Sequence, residues 1–278
     1  MELNTLVFPT TKPTYTARTF VSNLIYVPRH EAARPTTLKP ALRLPPDQTT
    51  LLDKSLSAVS PSAANPLEEQ LDASTLQSDN YRSLYLSELS ASAFSSSLSG
   101  RAVAPPAGIV PCLYLPYRKG SSKVLLYFHG NAEDVGTAYD FLRTLQRSVH
   151  VHVLAVEYPG YGIYRGTASE ERVLADAESV FQFLTEDLEW PVEDVIIAGR
   201  SIGSGPACHL ASRHRPCALL LISAFTSVRG AVKDMFGRLS QFLVKERFDN
   251  LEKMPDVRCP AFLLHGTLDR VVPCEHSR

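Results

Sequence analysis

From residue 108 onward, short apolar runs alternate with segments in which apolar residues recur at helical spacing. The apolar runs are IVPCLYLPY, KVLLYFHG, VHVLAVEYPG, DVIIAGRS, CALLLISAF and PAFLLHG. ERVLADAESVFQFLTED and GPACHLASRH, which lie between these runs, read as helices. Short buried strands that alternate with helices predict an α/β fold, with a mostly parallel sheet covered by helices on both faces. Active sites of such sheets lie at the carboxyl ends of the strands, so polar residues there are the candidates for chemistry.

The first hundred residues lack this alternation and are rich in Ser, Thr, Pro and Ala. SAVSPSAANP and ASAFSSSLSG are typical of loop or linker, while YRSLYLSELS (81–90) is compatible with an edge strand. We therefore expect residues 1–104 to be an irregular extension that packs partly on the core. Residues 105–278 are expected to form the α/β domain.

Composition and charge exclude some classes of function. The net charge of −1 gives no bulk attraction to nucleic acid or acidic lipid. MELNTLVFPTTKPTY has neither the basic start nor the apolar run of a secretory signal, and ALLLISAF is too short to span a bilayer. The five cysteines contain no CxxC pair, which favours a reducing, cytoplasmic compartment and implies no metal or other cofactor: Cys112, Cys208, Cys217, Cys259 and Cys274.

Ser201 lies at the centre of Gly199-Arg200-Ser201-Ile202-Gly203, between an apolar run and a helix. A serine on a tight strand-to-helix turn points its Oγ out of the sheet, and small flanking residues leave room for the turn. The helix N-terminus that follows favours developing negative charge. The motif predicts a nucleophile at Ser201; the alternative is a Ser/Gly-rich turn without chemistry.

The segment YFHGNAED (127–134) follows an earlier strand and supplies the second candidate motif. An acyl-transfer enzyme needs backbone N–H groups that face the tetrahedral oxyanion. We expect these donors to be the N–H groups of Ile202 and Asn131, with Ala132 next in line. His129 is expected to brace the loop by hydrogen bonding, and the alternative for the whole segment is an ordinary turn.

Asp269, in FLLHGTLDRVVP, follows the last apolar run and is the candidate acid. In a catalytic triad the acid orients the histidine and stabilises its cationic form. The alternative is an Asp that only forms a polar turn. Asp249 is a rival, but its place before a helical segment predicts a helix cap.

These three motifs, in this order, resemble the α/β-hydrolase fold of serine hydrolases. EYPGYG, DAESVFQFL, SIGSGP, SAFTSV and HGTLDRVVPCEHS further resemble the intracellular alpha/beta-hydrolase-domain depalmitoylases, and FPTTKPTY (8–15) resembles a segment that precedes their domain. The resemblance implies cleavage of an ester or thioester through an acyl-Ser201 intermediate, with a fatty-acyl thioester on protein or a lipid ester favoured. It also implies a monomer with peripheral membrane contact, although the N-terminal cysteine cluster of those enzymes has no counterpart here.

The triad histidine is the second point at which this sequence departs from the resembled enzymes. The resemblance implies a histidine after one further strand that follows the acid. This sequence ends at Arg278, shortly after Asp269. We therefore expect a C-terminally truncated hydrolase that lacks its last strand and helix, with AFLLHG as an exposed edge. His276 is the best substitute base among the histidines, of which His214 is expected to be exposed and His265 to be structural. Without a base, the alternative is a non-catalytic hydrolase-fold protein that binds a lipid or a protein.

The segment SVRGAVKDMFGRLSQFLVKERFDN places apolar residues on one helical face: Val232, Met235, Phe236, Leu239, Phe242 and Leu243. One interpretation is an apolar lid with a basic rim that covers an acyl chain. The other is an amphipathic helix that docks on the sheet.

Overall fold

The computed structural model describes residues 7–9, 12–16, 19–20, 23–29, 108–239 and 244–278. The predicted edge strand at 81–90 and the Ser-rich segments lie outside these residues. The described strands form one sheet in the order β1-β2-β4-β3-β5-β6-β7. They are β1 Leu24–Pro28, β2 Ile109–Leu115, β3 Val124–Phe128, β4 His152–Val156, β5 Val195–Arg200, β6 Ala218–Ile222 and β7 Ala261–Leu264.

The sheet is mostly parallel, as the alternating pattern predicted. Strand β2 pairs antiparallel with β1 and β4, and every other neighbouring pair is parallel. The chain adds β4 on one side of β3 and then crosses to place β5 on the other side. The carboxyl ends of β3 and β5 therefore meet at a topological switch point, where ligands bind in open α/β sheets.

Helices connect the parallel strands, and side-chain caps begin most of them. The five described α-helices are α1 Val135–Val149, α2 Glu170–Gln182, α3 Ser204–Arg213, α4 Val228–Phe236 and α5 Asn250–Lys253. Asp249 accepts a hydrogen bond from the N–H of Glu252 at the start of α5, which confirms the predicted cap. None of the helices in the described ranges is long and apolar enough to cross a bilayer.

Helix α1 is an element that the apolar runs did not indicate. It buries Val135, Ala138, Leu142 and Gln146, which follow one another at helical spacing. Its cap, Asp134, accepts from the N–H of Thr137. The cap and the spacing were both present in the sequence, but this amphipathic segment is polar on most of its surface.

Described segments of the predicted N-terminal extension, residues 1–104, pack on the α/β core. Strand β1 is an edge strand of the sheet, and Ile25 and Val27 are fully buried. Phe8 is also buried and packs edge-to-face against Phe248, with ring centroids 6.1 Å apart. Parts of the N-terminal hundred residues are therefore integral to the core.

The predicted helical face in the lid segment is interrupted. Helix α4 ends at Phe236, because Gly237 adopts a left-handed φ of 88°. Val228, Ala231 and Val232 face the core, whereas Met235 and Phe236 are exposed. Phe242 and Leu243 lie outside the described residues. The helix therefore docks by its first two turns only.

Candidate functional site

Ser201 occupies the turn that joins β5 to α3. Its φ of 50° lies in the left-handed region, which a residue with a Cβ adopts only when the surrounding structure imposes it. The side chain is half-buried, and the carbonyl oxygen of Ser201 accepts a 2.6 Å hydrogen bond from Ser204 Oγ. The predicted nucleophile thus has the strained strand-to-helix geometry of an elbow.

The two flanking glycines are required by close backbone packing. A Cβ at Gly199 would lie 2.3 Å from the carbonyl oxygen of Gly203. A Cβ at Gly203 would lie 2.2 Å from the carbonyl oxygen of Phe128, so the elbow touches the end of β3. Both distances are shorter than any van der Waals contact, which gives the Gly-x-Ser-x-Gly pattern a physical cause.

Asn250 is a site-supporting residue that the sequence motifs did not reveal. Its Nδ2 group donates to Ser204 Oγ at 2.9 Å and to the carbonyl oxygen of Phe225 at 3.0 Å. Ser204 Oγ in turn donates to the carbonyl oxygen of Ser201. In the sequence, Asn250 is only an amide side chain that follows the predicted cap Asp249, which does not indicate that it binds Ser204.

The loop after β3 lies directly beside the elbow, because Phe128 pairs with Gly199 in the sheet. Ala132 has a left-handed φ of 56°, and Tyr161 donates to Asn131 Oδ1 at 2.8 Å. No described residue accepts a hydrogen bond from the backbone N–H of Asn131 or Ala132. The predicted oxyanion donor Asn131 and its neighbour Ala132 are thus both free to donate within this part of the chain.

Glu133 ties this loop to the nucleophile strand. Its Oε2 accepts from the N–H of Gly130 at 3.0 Å, and its Oε1 pairs with Arg200 Nη1 at 2.5 Å. Arg200 immediately precedes Ser201. The ion pair therefore links Arg200, in the elbow motif, to the loop that carries the candidate oxyanion donors.

His129 is fully buried and forms an ion pair with Glu157, which is also fully buried. Its Nε2 lies 2.9 Å from Glu157 Oε1, and its Nδ1 lies 2.9 Å from the carbonyl oxygen of Gly130. Burial favours the neutral ring, but the hydrogen bond and negative charge of Glu157 outweigh it and raise the pKa of His129. Both nitrogens are engaged, so His129 braces the loop, as its position indicated.

Asp269 follows β7 and is held by the turn that contains it. Its Oδ1 accepts from the N–H groups of Val271 and Val272, at 2.8 and 3.0 Å. Partial burial opposes ionisation, but these N–H donors, together with Ser223 and His265, lower the pKa of Asp269. A carboxylate that is ionised at neutral pH is the state that a triad acid needs.

His265 and His276, the two histidines nearest to Asp269 in the sequence, have other partners. His265 Nε2 is 3.6 Å from Asp269 Oδ2, but the ring is bonded to the Val272 carbonyl oxygen and to Ser277 Oγ, at 2.7 and 2.6 Å. His265 is thus a packed structural residue, as predicted. His276 Nδ1 lies 2.9 Å from Thr226 Oγ1, and its Nε2 lies 3.1 Å from Asp234 Oδ2. The predicted substitute base therefore contacts α4 and the segment before it.

Two more histidines converge on Glu178, away from the elbow. Nε2 of His209 and of His214 each lies 3.0 Å from this carboxylate, which lowers the pKa of Glu178 despite its partial burial. His214 also stacks on Phe181, with ring centroids 4.3 Å apart. The expectation that His214 would be exposed is wrong, because it closes α3 against α2. No described histidine makes a hydrogen bond to Ser201.

Known proteins provide a comparison in sequence. No family model matches the chain. A region of 168 residues is 34% identical to the alpha/beta hydrolase domain-containing protein aho-3 of Caenorhabditis elegans, covering 60% of this chain and 50% of that protein. A region of the same length is 29% identical to the human alpha/beta hydrolase domain-containing protein 17B, covering 60% and 57%. The chain thus spans about half the length of the curated relatives it matches.

Solved structures provide a comparison of the fold. A puromycin-hydrolysing peptidase of Mycobacterium tuberculosis superposes with a TM-score of 0.50 at 20% identity, over 63% of this chain and 31% of the peptidase. An esterase of Pyrococcus furiosus superposes with a TM-score of 0.50 at 16% identity, over 61% and 68%. The chain has the α/β-hydrolase fold, and in sequence it is similar to alpha/beta hydrolase domain-containing proteins, among them those of type 17.

Proposed function

We propose that this chain belongs to a serine hydrolase that cleaves a carboxylic ester or thioester through an acyl intermediate on Ser201. One observation carries the proposal. Ser201 is held at a left-handed φ between β5 and α3, next to a loop whose Asn131 and Ala132 N–H groups have no acceptor among the described residues. Strain of this kind in a residue with a side chain is concentrated at functional sites.

The geometry supports an acylation step in which the backbone stabilises the transition state. Ser201 Oγ loses its proton to a base and attacks the acyl carbon, which gives a tetrahedral oxyanion. The N–H groups of Ile202 and Asn131 donate to that oxyanion. The intermediate then expels a thiolate or alkoxide, which takes up the proton from the base, and water releases the acyl group by the reverse sequence. Asp269 would hold the imidazole of the base and stabilise its cation.

Sequence similarity and an exposed apolar surface after β6 support one class of substrate. We propose a fatty-acyl thioester on protein, or a lipid ester, as the class of substrate. Met235, Phe236 and Leu239 are exposed on the segment that begins after the carboxyl end of β6, the strand parallel to β5. An apolar surface there suits an acyl chain. A cytoplasmic location, peripheral membrane contact and a monomeric state are further predictions from the sequence.

The test is labelling with a fluorophosphonate probe, followed by mapping of the adduct. We expect the endogenous protein to be labelled at Ser201 and the Ser201→Ala variant to be unlabelled. Ser212→Ala is the matched control, because Ser212 lies on α3, the helix that follows the Ser201 turn, and its hydroxyl donates to the His209 carbonyl oxygen. Labelling that survives in Ser201→Ala would identify a different nucleophile. No labelling of the endogenous protein would favour a non-catalytic protein that binds lipid or protein.

The base is tested in the same assay. His276→Gln removes the predicted substitute, whose ring nitrogens face Thr226 and Asp234. We expect the rate of labelling to change less than about threefold, because a general base contributes 10²–10⁴-fold and His276 makes no hydrogen bond to Ser201. A loss of 100-fold or more, with the fold intact, would assign His276 as the base.

A further inference from the structure

A short N-terminal segment, residues 12–16, reaches the candidate site from far away in the sequence; we call it the strap. The Tyr15 side chain is buried, and its hydroxyl donates to Glu157 Oε2 at 2.8 Å. The backbone N–H of Thr14 donates to Asp134 Oδ2 at 2.8 Å, and its hydroxyl bonds the other carboxylate oxygen. The strap is thus anchored both to the carboxylate beneath the oxyanion loop and to the cap of α1.

Glu157 holds both ends of the oxyanion loop, residues 129–134. Its Oε1 accepts from His129 Nε2 at 2.9 Å and from the N–H of Tyr158 at 3.1 Å. Its Oε2 accepts from the N–H of Val135 at 3.2 Å and from the hydroxyl of Tyr15. His129 begins the loop and Val135 follows it. A shift of this carboxylate would therefore move the loop at both ends.

The strap fills a slot that two glycines leave open. A Cβ at Gly162 would lie 2.3 Å from Glu157 Oε2 and 2.6 Å from the Tyr15 ring. A Cβ at Gly136 would lie 2.6 Å from Thr14 Oγ1 and 2.9 Å from the same ring. Gly162 belongs to the motif EYPGYG. Its small size, together with its left-handed φ of 49°, is needed to seat the strap against Glu157.

We infer that Tyr15 is a positioning residue of the candidate site: through Glu157 and His129, its hydroxyl fixes the loop that presents the Asn131 N–H to the oxyanion. A buried carboxylate that loses one of its donors shifts toward the donors that remain. Misplacement of a catalytic group by about 1 Å can lower a rate by about 100-fold. This inference rests on the proposed serine-hydrolase function for its kinetic consequence, but not for its structural one.

The kinetic test compares Tyr15→Phe with Tyr26→Phe in the full chain. Tyr26 lies on β1, and its hydroxyl makes no hydrogen bond to a described residue, so it controls for the loss of one hydroxyl. The rate of fluorophosphonate labelling is measured at several probe concentrations, which gives the affinity for the probe and the maximal rate of inactivation separately. We expect Tyr15→Phe to lower the inactivation rate about 10- to 100-fold with affinity unchanged, and Tyr26→Phe to stay within about twofold. Equal rates for the two variants in folded protein would overturn the inference.

A second readout is independent of activity. Amide hydrogen exchange at Gly130 and Val135, whose N–H groups are bonded to Glu133 and Glu157, should be faster by NMR in Tyr15→Phe than in Tyr26→Phe, because the loop loses its brace. Unchanged exchange would overturn the role of Tyr15 even if the protein proved catalytically inert. Absence of labelling in the wild type would instead count against the proposed function alone.

Thr14→Val is the fallback variant if Tyr15→Phe does not fold. It loosens the strap at Asp134 and leaves the Tyr15 hydroxyl in place. We expect a smaller slowing of inactivation, below about tenfold, with faster exchange at Gly130 and Val135. A protein that exchanges these amides at the wild-type rate would show that the strap does not position the loop.

Discussion

The two sides of the candidate site are held by different kinds of contact. On the inner side, the Ser201 elbow and the loop 129–134 lie over the middle of the sheet. They are fixed by side chains from distant parts of the chain: Tyr15, Glu157 and Asn250. On the outer side, Asp269 follows β7 and accepts its backbone hydrogen bonds from two and three residues away, at Val271 and Val272, with one side-chain hydrogen bond from Ser223 after β6.

Burial follows the same division. Every residue of β3 is buried, whereas every residue of β7 is exposed, with Phe262 at 72%. The inner side is therefore over-determined by packing and can sustain the left-handed backbone of Ser201 and Ala132. The position of Asp269 depends mainly on one local turn. Substitutions on the inner side should reduce stability, whereas those on the outer side should reduce activity and leave stability nearly unchanged.

The largest expected effect on stability is that of His129→Gln. This change leaves Glu157 buried without its cationic partner, and breaking such a pair costs about 3–5 kcal/mol of unfolding free energy. Because the pKa of His129 is raised in the fold, its contribution is complete below the ordinary histidine pKa of about 6.5 and declines as the pH rises through the folded value. Urea unfolding from about pH 6 upward should show the difference from wild type shrinking.

His265→Gln is the outer-side counterpart. His265 is also nearly buried, but its ring bonds two neutral groups, the hydroxyl of Ser277 and the carbonyl oxygen of Val272. The expected loss is about 1 kcal/mol. Equal losses for the two variants would contradict the division between an inner and an outer side.

The next largest effect compares two glycines. Gly203→Ala places a Cβ 2.2 Å from a backbone oxygen that cannot move aside, so we expect a loss of about 2–3 kcal/mol and slower labelling of Ser201. Gly266→Ala meets no atom within 4 Å, and we expect a change within about 0.5 kcal/mol. Thermal unfolding of both variants, side by side, measures the contrast. A tolerated alanine at position 203 would mean that the backbone of the elbow can move away from the carbonyl oxygen of Phe128.

The sequence predicted the central strands well because their signal is local. Apolar runs gave β2 to β7, and the spacing of Val173, Ala177, Val180 and Phe181 gave α2. Strand β1 was missed because it lies in the Ser/Thr/Pro-rich half of the chain, outside the alternation of apolar runs and helical segments. The lid helix was predicted too long, since the periodicity continues through Gly237 whereas the backbone does not.

Positions of the site residues were predictable, but not the contacts that hold them. Asn131, Ser201 and Asp269 follow β3, β5 and β7, and this placement after parallel strands was predicted from the motifs and the fold class. Tyr15 binds Glu157 and Asn250 binds Ser204, and the members of each pair are far apart in the sequence. Hydrophobic periodicity does not predict contacts between such distant residues. The partners of His276 were likewise hidden, because Thr226 and Asp234 lie on a segment whose path depends on tertiary packing.

Asp269→Asn should separate activity from stability on the outer side. Asn Oδ1 still accepts from Val271 and Val272, so we expect a loss below about 1 kcal/mol in urea unfolding at neutral pH. Labelling of Ser201 should fall by about 10⁴-fold if Asp269 is the triad acid. Because its pKa is lowered in the fold, the stability difference should be largest above the ordinary Asp pKa of about 3.9 and fade as the pH falls further. Unchanged labelling would remove Asp269 from the triad.

The smallest expected effect on stability is that of Phe262→Lys on β7. The ring is 72% exposed, so its removal should change the unfolding free energy by less than about 0.5 kcal/mol. An apolar edge strand favours association between chains, and an added charge opposes it, so sedimentation should show less self-association at high concentration. Phe236→Lys, at an exposed phenylalanine on α4, is the matched control. A loss above about 1 kcal/mol for Phe262→Lys would mean that β7 contributes to the core as the inner strands do.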